Sequence, residues 1–451
     1  MVVTLMYYRL SSQKARTFLL LIASCYFYMS FVPKYILILG GTIVIDYFAG
    51  LQIARNKGHL RKTWLIISLA ANIGILAYFK YFNFILGNLE PFLQMVFPRK
   101  HVPIFDILLP IGLSFHTFQA MSYTIEVYRG KQAPERDFFT YALYVMFYPQ
   151  LVAGPIERPQ NMLPQLRTRQ EYKWDNVKEG LTRMLWGLFK KVVIADRIAA
   201  VVDYSFDHIN TQSSLHLLLG AALYSFQIYC DFSGYSDIGI GAAKVMGIGL
   251  MENFNEPYRA HTMPQFWSRW HISLSTWFRD YVYIPLGGNR LGNRRRKLNI
   301  MIVFLLSGLW HGANWTFVVW GGLHGILTAF SPGSRKSKDT ALSAGKIAFI
   351  SINFLLVTLL WIFFRAPNLH DALHYLYGIF SFRHGLSKTG VNNMELALSM
   401  ILIGIMLVRE YKYRGHYIKD NRLFACYTGV IVIACYFLGV FNENQFIYFQ
   451  F

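Results

Sequence analysis

The chain presents one apolar stretch after another, separated by loops rich in Lys and Arg. A spanning helix needs about 20 mainly apolar residues, because its backbone must bond to itself where water is absent. Residues 35–53, 64–86, 107–127, 181–202, 215–250, 347–364 and 424–441 read this way, and residues 18–31, 299–309, 317–330 and 396–408 give shorter stretches. Of 451 residues, 54% are hydrophobic and 15% charged, too few charges to cover a soluble protein of this length. The fold class expected is therefore an all-α polytopic membrane protein, a single membrane domain over residues 1–451 with about ten spans.

The net charge is +20. A nucleic-acid partner would also suit that value, but the cations lie between apolar stretches, as the positive-inside rule describes. Arg9, Lys14 and Arg16 at the N-terminus and Arg55, Lys57, Arg61 and Lys62 after the second stretch mark cytoplasmic segments. Membrane lipid, and no nucleic acid, is the expected surrounding. The first apolar run reads as a retained span rather than a cleaved signal. Cys25, Cys230, Cys426 and Cys435 form no CxxC pair and read as packing residues. The apolar residues 138–154 end at Gly154-Pro155-Ile156-Glu157-Arg158-Pro159, where two prolines do not continue a helix. Basic residues follow on the same side as those before, which predicts a re-entrant element. Asp46, Lys80, Glu126 and Asp231 fall inside apolar stretches. Ionisable groups there either pair structurally or carry function.

Two segments concentrate the chemistry. Residues 252–298 are aromatic and basic, an interfacial segment between the apolar ones. Within it, Phe266, Trp270, Leu274, Trp277 and Tyr281 recur at helical spacing, with Arg269, Ser273, Thr276 and Asp280 on another face. That pattern predicts an amphipathic helix ended by Pro285 and Gly287-Gly288. Arg290, Arg294, Arg295, Arg296 and Lys297 follow. The helix is either a plain interfacial element or a basic surface that attracts a phosphorylated acyl donor or an acidic carrier protein.

The second segment, residues 307–324, contains Ser307-Gly308-Leu309-Trp310-His311-Gly312-Ala313-Asn314-Trp315. Gly308 and Gly312 allow close helix approach. A histidine at that depth is costly when charged, so neutral imidazole is expected. Neutral imidazole can act as a general base toward a hydroxyl, or it can be a buried structural group. His271 and His324 pose the same choice. No pair of these histidines has the spacing of a helical zinc motif, and no GxSxG elbow occurs, so neither a metal site nor a soluble-type serine hydrolase is expected.

At these residues the chain resembles the membrane-bound O-acyltransferase superfamily, and within it the bacterial branch of alginate and peptidoglycan O-acetylation membrane subunits. The resemblance runs through Asp46-Tyr47-Phe48, Phe79-Lys80-Tyr81-Phe82-Asn83-Phe84, Thr117-Phe118-Gln119 and Tyr123 to Gly130. It continues through Ala153 to Pro159, Asp231-Phe232-Ser233-Gly234-Tyr235-Ser236-Asp237, residues 253–259, 266–288, 310–322 with His324, and the terminal 446–451. His116 departs from it, standing where the family has an aromatic residue.

The resemblance implies a ring of about ten to twelve helices around a thinned centre, with re-entrant and amphipathic interfacial helices and a cytoplasmic funnel. It implies that His311 and His271 are catalytic, His311 as base or as transient acyl carrier. Trp267, Trp270, Arg279, Asp280, Trp310, Asn314, Trp315 and His324 are the candidates for substrate binding, with Arg279 and Asp280 also fitted to fixing the helix that presents the site. The expected donor is acetyl-coenzyme A or an acyl carrier, with no bound cofactor. The expected acceptor is a cell-envelope polysaccharide, reached through an extracytoplasmic SGNH-type acetyltransferase-like partner protein, in the bacterial cytoplasmic (inner) membrane. D-alanyl transfer to teichoic acid from a carrier protein is the alternative within the superfamily. A lipid or acyl-donor transporter is the alternative of another class, disfavoured because no inverted repeat is visible.

Overall fold

A computed structural model describes residues 2–96, 105, 107–152, 154–331, 343–385, 388–413, 418–441 and 446. Ala153 and residues 447–451 of the motifs above lie outside the described residues. Among the described residues the secondary structure is helical throughout, without a β-strand. Pro33–Arg55, Gly58–Phe92, Ala344–Arg365 and Asn421–Leu438 are long and apolar enough to cross a membrane. Other expected stretches fall short for visible reasons. Trp315–Phe330 has 16 residues, while Gly292–His311 starts on Arg294, Arg295, Arg296 and Lys297.

The chain forms two compact units, Met1–Leu181 with Gly239–Met251, and Thr182–Ile238 with Glu252–Phe451. In the first, helices Ile36–Arg55, Gly58–Leu76 and Leu113–Tyr128 pack on one another. Gly50 is required there, because a Cβ would lie 2.6 Å from the Tyr123 ring. Asp46 is fully buried among these helices. Its carboxylate accepts from Ser68 Oγ at 2.6 Å and from Asn72 Nδ2 at 2.9 Å, and Ser68 reaches Thr124 Oγ1 at 3.0 Å. Neutral donors thus surround this group. Glu126 instead pairs with Arg129 at 3.3 Å and accepts from Gln160 at 2.7 Å.

The stretch expected to re-enter is a broken helix. Phe138–Met146 ends at Phe147, Tyr148–Leu151 follows, and Pro159 opens a further helix, Pro159–Arg167. Between them Glu157 is fully buried and accepts from Asn161 Nδ2 at 2.8 Å and from the Met251 amide. Burial pushes its carboxyl above the usual range.

In the second unit, Gly292–His311 and Trp315–Phe330 form a tight helical hairpin. A Cβ on Gly308 would sit 2.2 Å from the Phe317 carbonyl oxygen, and one on Gly321 2.3 Å from that of Phe304. Bare backbones therefore touch, which presses the C-terminal end of one helix onto the ring-bearing face of the other. The predicted single amphipathic helix over residues 265–284 is broken into Met263–Trp267, Ile272–Phe278 and a π-helical turn Arg279–Tyr283. The break is at His271, whose φ of 44° and ψ of 54° are left-handed. Such a backbone cannot continue a helix and costs about 1–2 kcal/mol for a non-glycine residue. Periodicity still sorted most of the aromatic face: Phe266, Trp270, Leu274 and Trp277 are buried, while Tyr281 is only partly so. Ser273, expected on the polar face, is fully buried too, because it turns onto Asn253.

Candidate active site

His311 ends helix Gly292–His311 and is 4% exposed. Aromatic rings surround its imidazole edge-on: Trp310 at 4.9 Å between centroids, Trp320 at 5.1 Å and Phe364 at 5.2 Å. The His271 ring lies 6.4 Å away. Ring faces attract weakly polar edges, so these contacts hold the imidazole in place.

His271 is fully buried. Phe232 meets its ring at 4.7 Å and Trp310 at 5.9 Å. Its Nδ1 is 3.1 Å from Asn253 Oδ1. Burial pulls its imidazole down to about 3, so it is neutral across the physiological range. Phe446, from the terminal motif, is buried and packs on Phe232 at 5.9 Å and Tyr235 at 4.2 Å.

His324 stands one layer further out. Trp267 Nε1 donates to its Nδ1 at 3.3 Å, and Trp320 packs on it at 4.9 Å. Trp270 stacks on Phe266 at 5.6 Å and touches Trp361 at 5.0 Å; Trp361 in turn stacks on Trp320 at 5.6 Å. His271, His311, Trp310, Trp267, Trp270 and His324 are thus one connected cluster. Four expected residues stand apart from these contacts. Asn314 caps helix Trp315–Phe330, accepting from the Thr316 amide at 3.0 Å, and donates to Pro367 O at 2.8 Å. Trp315 is half exposed. Arg279 and Asp280 pair with each other at 2.8 Å at the surface.

The charged scaffold behind the cluster is an ion-pair network. Arg183 bonds Asp237 at 2.8 Å and Glu252 at 2.6 Å, and Lys190 reaches the other oxygen of Asp237 at 2.7 Å. Lys191 pairs with Asp231 at 2.6 Å and Asp196 at 2.8 Å. Both lysines lie in a π-helical segment, Phe189–Ala195, a distortion common at functional sites. Asp231 therefore takes the structural-pair reading. The sequence pattern had not singled out Asn253, Trp320, Trp361 or Phe364. Asn253 and Trp320 do fall inside stretches that carried the resemblance. Trp361 and Phe364 sit on a distant apolar helix where nothing distinguishes them from lipid-facing residues. Among the described residues no cluster of three or more His, Cys, Asp or Glu could hold a metal.

Apolar helices define a multi-pass membrane protein, and within it a buried histidine pair is walled by tryptophans. The chain belongs to the membrane-bound O-acyltransferase family, whose pattern matches residues 131–369, and it is an acyltransferase. It is 40% identical over 420 residues to the probable alginate O-acetylase AlgI of Pseudomonas putida, covering 90% of this chain and 85% of that protein. It is 35% identical over 488 residues to the peptidoglycan O-acetyltransferase of Helicobacter pylori, covering 96% and 91%. The teichoic acid D-alanyltransferase of Bacillus subtilis is 29% identical over 252 residues, covering 54% and 63%.

Proposed function

We propose that this chain moves an acetyl group from acetyl-coenzyme A, on the cytoplasmic face of the bacterial inner membrane, toward O-acetylation of an extracytoplasmic cell-envelope polysaccharide. The observation that carries the reading is the His271–His311 pair, 6.4 Å apart and buried among aromatic rings, in a chain similar to alginate and peptidoglycan O-acetylating proteins along most of its length. His311 takes the proton of the attacking hydroxyl as that oxygen adds to the thioester carbonyl. The tetrahedral oxyanion then collapses, the C–S bond breaks, and the departing thiolate takes the proton back from the imidazolium. His271 positions the reacting groups beside His311. Trp267, Trp270, Trp310 and His324 wall the site and keep water from competing for the thioester. Arg279 and Asp280 brace the segment that presents His271, and Asn314 and Trp315 hold the turn after His311. No metal or bound cofactor takes part. The acetyl group passes on to an SGNH-type acetyltransferase-like partner outside the membrane.

A second reading is D-alanyl transfer from a carrier-protein thioester, favoured by the similarity to the teichoic acid D-alanyltransferase. That similarity covers about half the chain, against nine-tenths for the alginate relatives. Purified protein in proteoliposomes, given radiolabelled acetyl-coenzyme A, polysaccharide and the SGNH-type partner, is expected to release coenzyme A and label the acceptor. The His311→Ala protein is expected to do neither. Turnover only with a D-alanyl carrier thioester would transfer the assignment to the second reading.

A further inference from the structure

Asn253 touches neither reacting group in this scheme, yet it is fully buried and its side-chain oxygen converges on His271 and Ser273. Its Oδ1 meets three groups: His271 Nδ1 at 3.1 Å, the Ser273 amide at 3.3 Å and Ser273 Oγ at 2.9 Å. Its Nδ2 donates to Ser236 Oγ at 3.1 Å. A backbone N–H can only donate, so the Asn253 atom facing Ser273 is the oxygen. The imidazole nitrogen sharing that oxygen must then carry the proton. His271 is therefore the Nδ1–H tautomer, with its lone pair on Nε2.

The backbone enforces the same placement. The Ile272 amide donates to Asn253 O at 2.9 Å, and the Asn255 amide donates to Arg269 O at 2.9 Å. These two bonds clamp the chain on either side of His271 and hold its left-handed conformation. One residue along, Arg183 bridges Glu252 and Asp237, the neighbours of Asn253 and Ser236. The charged bridge locks the two segments whose inner residues form the Asn253–Ser236 bond. Facing His271 from the packed elements are Phe232, Trp310, the titratable His311, and the Asn253 and Ser273 just described.

We propose that Asn253 is a positioning residue that fixes His271 as a hydrogen-bond acceptor through Nε2, so that His271 orients a substrate O–H or N–H rather than donating to the oxyanion. This rests on the reading of His271 as part of the active site. A neutral imidazole with Nδ1–H committed to Asn253 has no second N–H to offer a developing negative charge. His271 serves instead by receiving a hydrogen bond, and it fails whenever Nε2 is protonated.

The test uses the full-length protein in proteoliposomes with acetyl-coenzyme A, comparing Asn253→Ala, Asn253→Asp, His271→Ala and the Asn253→Ala/His271→Ala double variant. Asn253→Ala is expected to lower kcat about ten- to a hundredfold with KM little changed, as losses of an orienting partner do. It is expected to cost nothing further once His271 is Ala. Asn253→Asp restores the acceptor but adds a charge at Nδ1, which stabilises the imidazolium and raises the His271 pKa. Its activity is therefore expected to fall as pH drops through that raised value, moving the acid limb of the kcat profile up by about one unit or more. An Asn253→Asp profile superimposed on wild type would overturn the proposal, as would an equal Asn253→Ala loss with and without His271. Should Asn253→Ala fail to accumulate, the Asn253→Asp profile decides alone. Full turnover by His271→Ala would instead remove the reading of His271 on which the proposal stands.

Discussion

The two units bury polar groups in opposite ways. In the first, Asp46 is enclosed by Ser68 and Asn72, neutral donors within 3 Å that tie its helix to theirs, and Ser68 carries the link on to Thr124 of a third helix. In the second, His311 and His271 are enclosed mainly by ring faces and edges at about 5 Å, and the compensating charges are kept one layer away in the Arg183–Asp237–Lys190 network. A carboxylate satisfied at every oxygen is a structural strut. An imidazole packed by aromatic contact is confined by edge and face contacts rather than by a shell of donors. Under the proposed function, the difference separates a group that stabilises from one that reacts.

Substitution can break that contrast in graded steps. The largest effect is expected from His311→Ala, a loss of acetyl transfer of about 10²–10⁴-fold, typical of removing a general base. Its loss of transfer is expected to persist per folded molecule, with unfolding in detergent still cooperative. A protein that unfolds but turns over normally when folded would erase the distinction drawn here. Lys190→Ala leaves Asp237 and Glu410 without that cation in a buried setting. It is expected to destabilise by about 3–5 kcal/mol, read as a lowered unfolding midpoint in detergent. Asp46→Ala strands the Ser68 and Asn72 donors and is expected to cost about 1–3 kcal/mol, with turnover per folded molecule retained. Asp46→Asn keeps one acceptor and should cost less. The smallest effect is expected from Asn314→Ala, about 1 kcal/mol from the lost helix cap. A kcat loss out of proportion to that would return Asn314 to the list of substrate contacts.

Much of this arrangement was legible in the amino-acid order. Span-length apolar runs demanded a helical membrane protein, since no other open-chain structure satisfies its backbone in lipid. Gly308 and Gly312 beside His311 announced a close helix contact, and the helix pair confirms it at Gly308 and Gly321. The spacing of Phe266, Trp270, Leu274 and Trp277 identified the buried face of the aromatic segment even though the helix is broken within it.

The break itself was not legible. Nothing in Ser268-Arg269-Trp270-His271 is a helix breaker; no Pro or Gly occurs there. His271 leaves the helical region because Asn253 and Asn255 bind the chain on both sides of it, pairings of residues 19 and 14 positions apart in sequence. Trp361 and Phe364 were equally silent, being ordinary apolar residues of an apolar helix until packing turned them onto Trp320 and His311. The sequence by itself determined the solvent this chain lives in, the helical character of its backbone and the residues able to do chemistry, because those follow from local composition and period. Only the tertiary structure decided which histidine faces which and what surrounds each. Those depend on hydrogen bonds and ring contacts between segments that one-dimensional spacing does not connect.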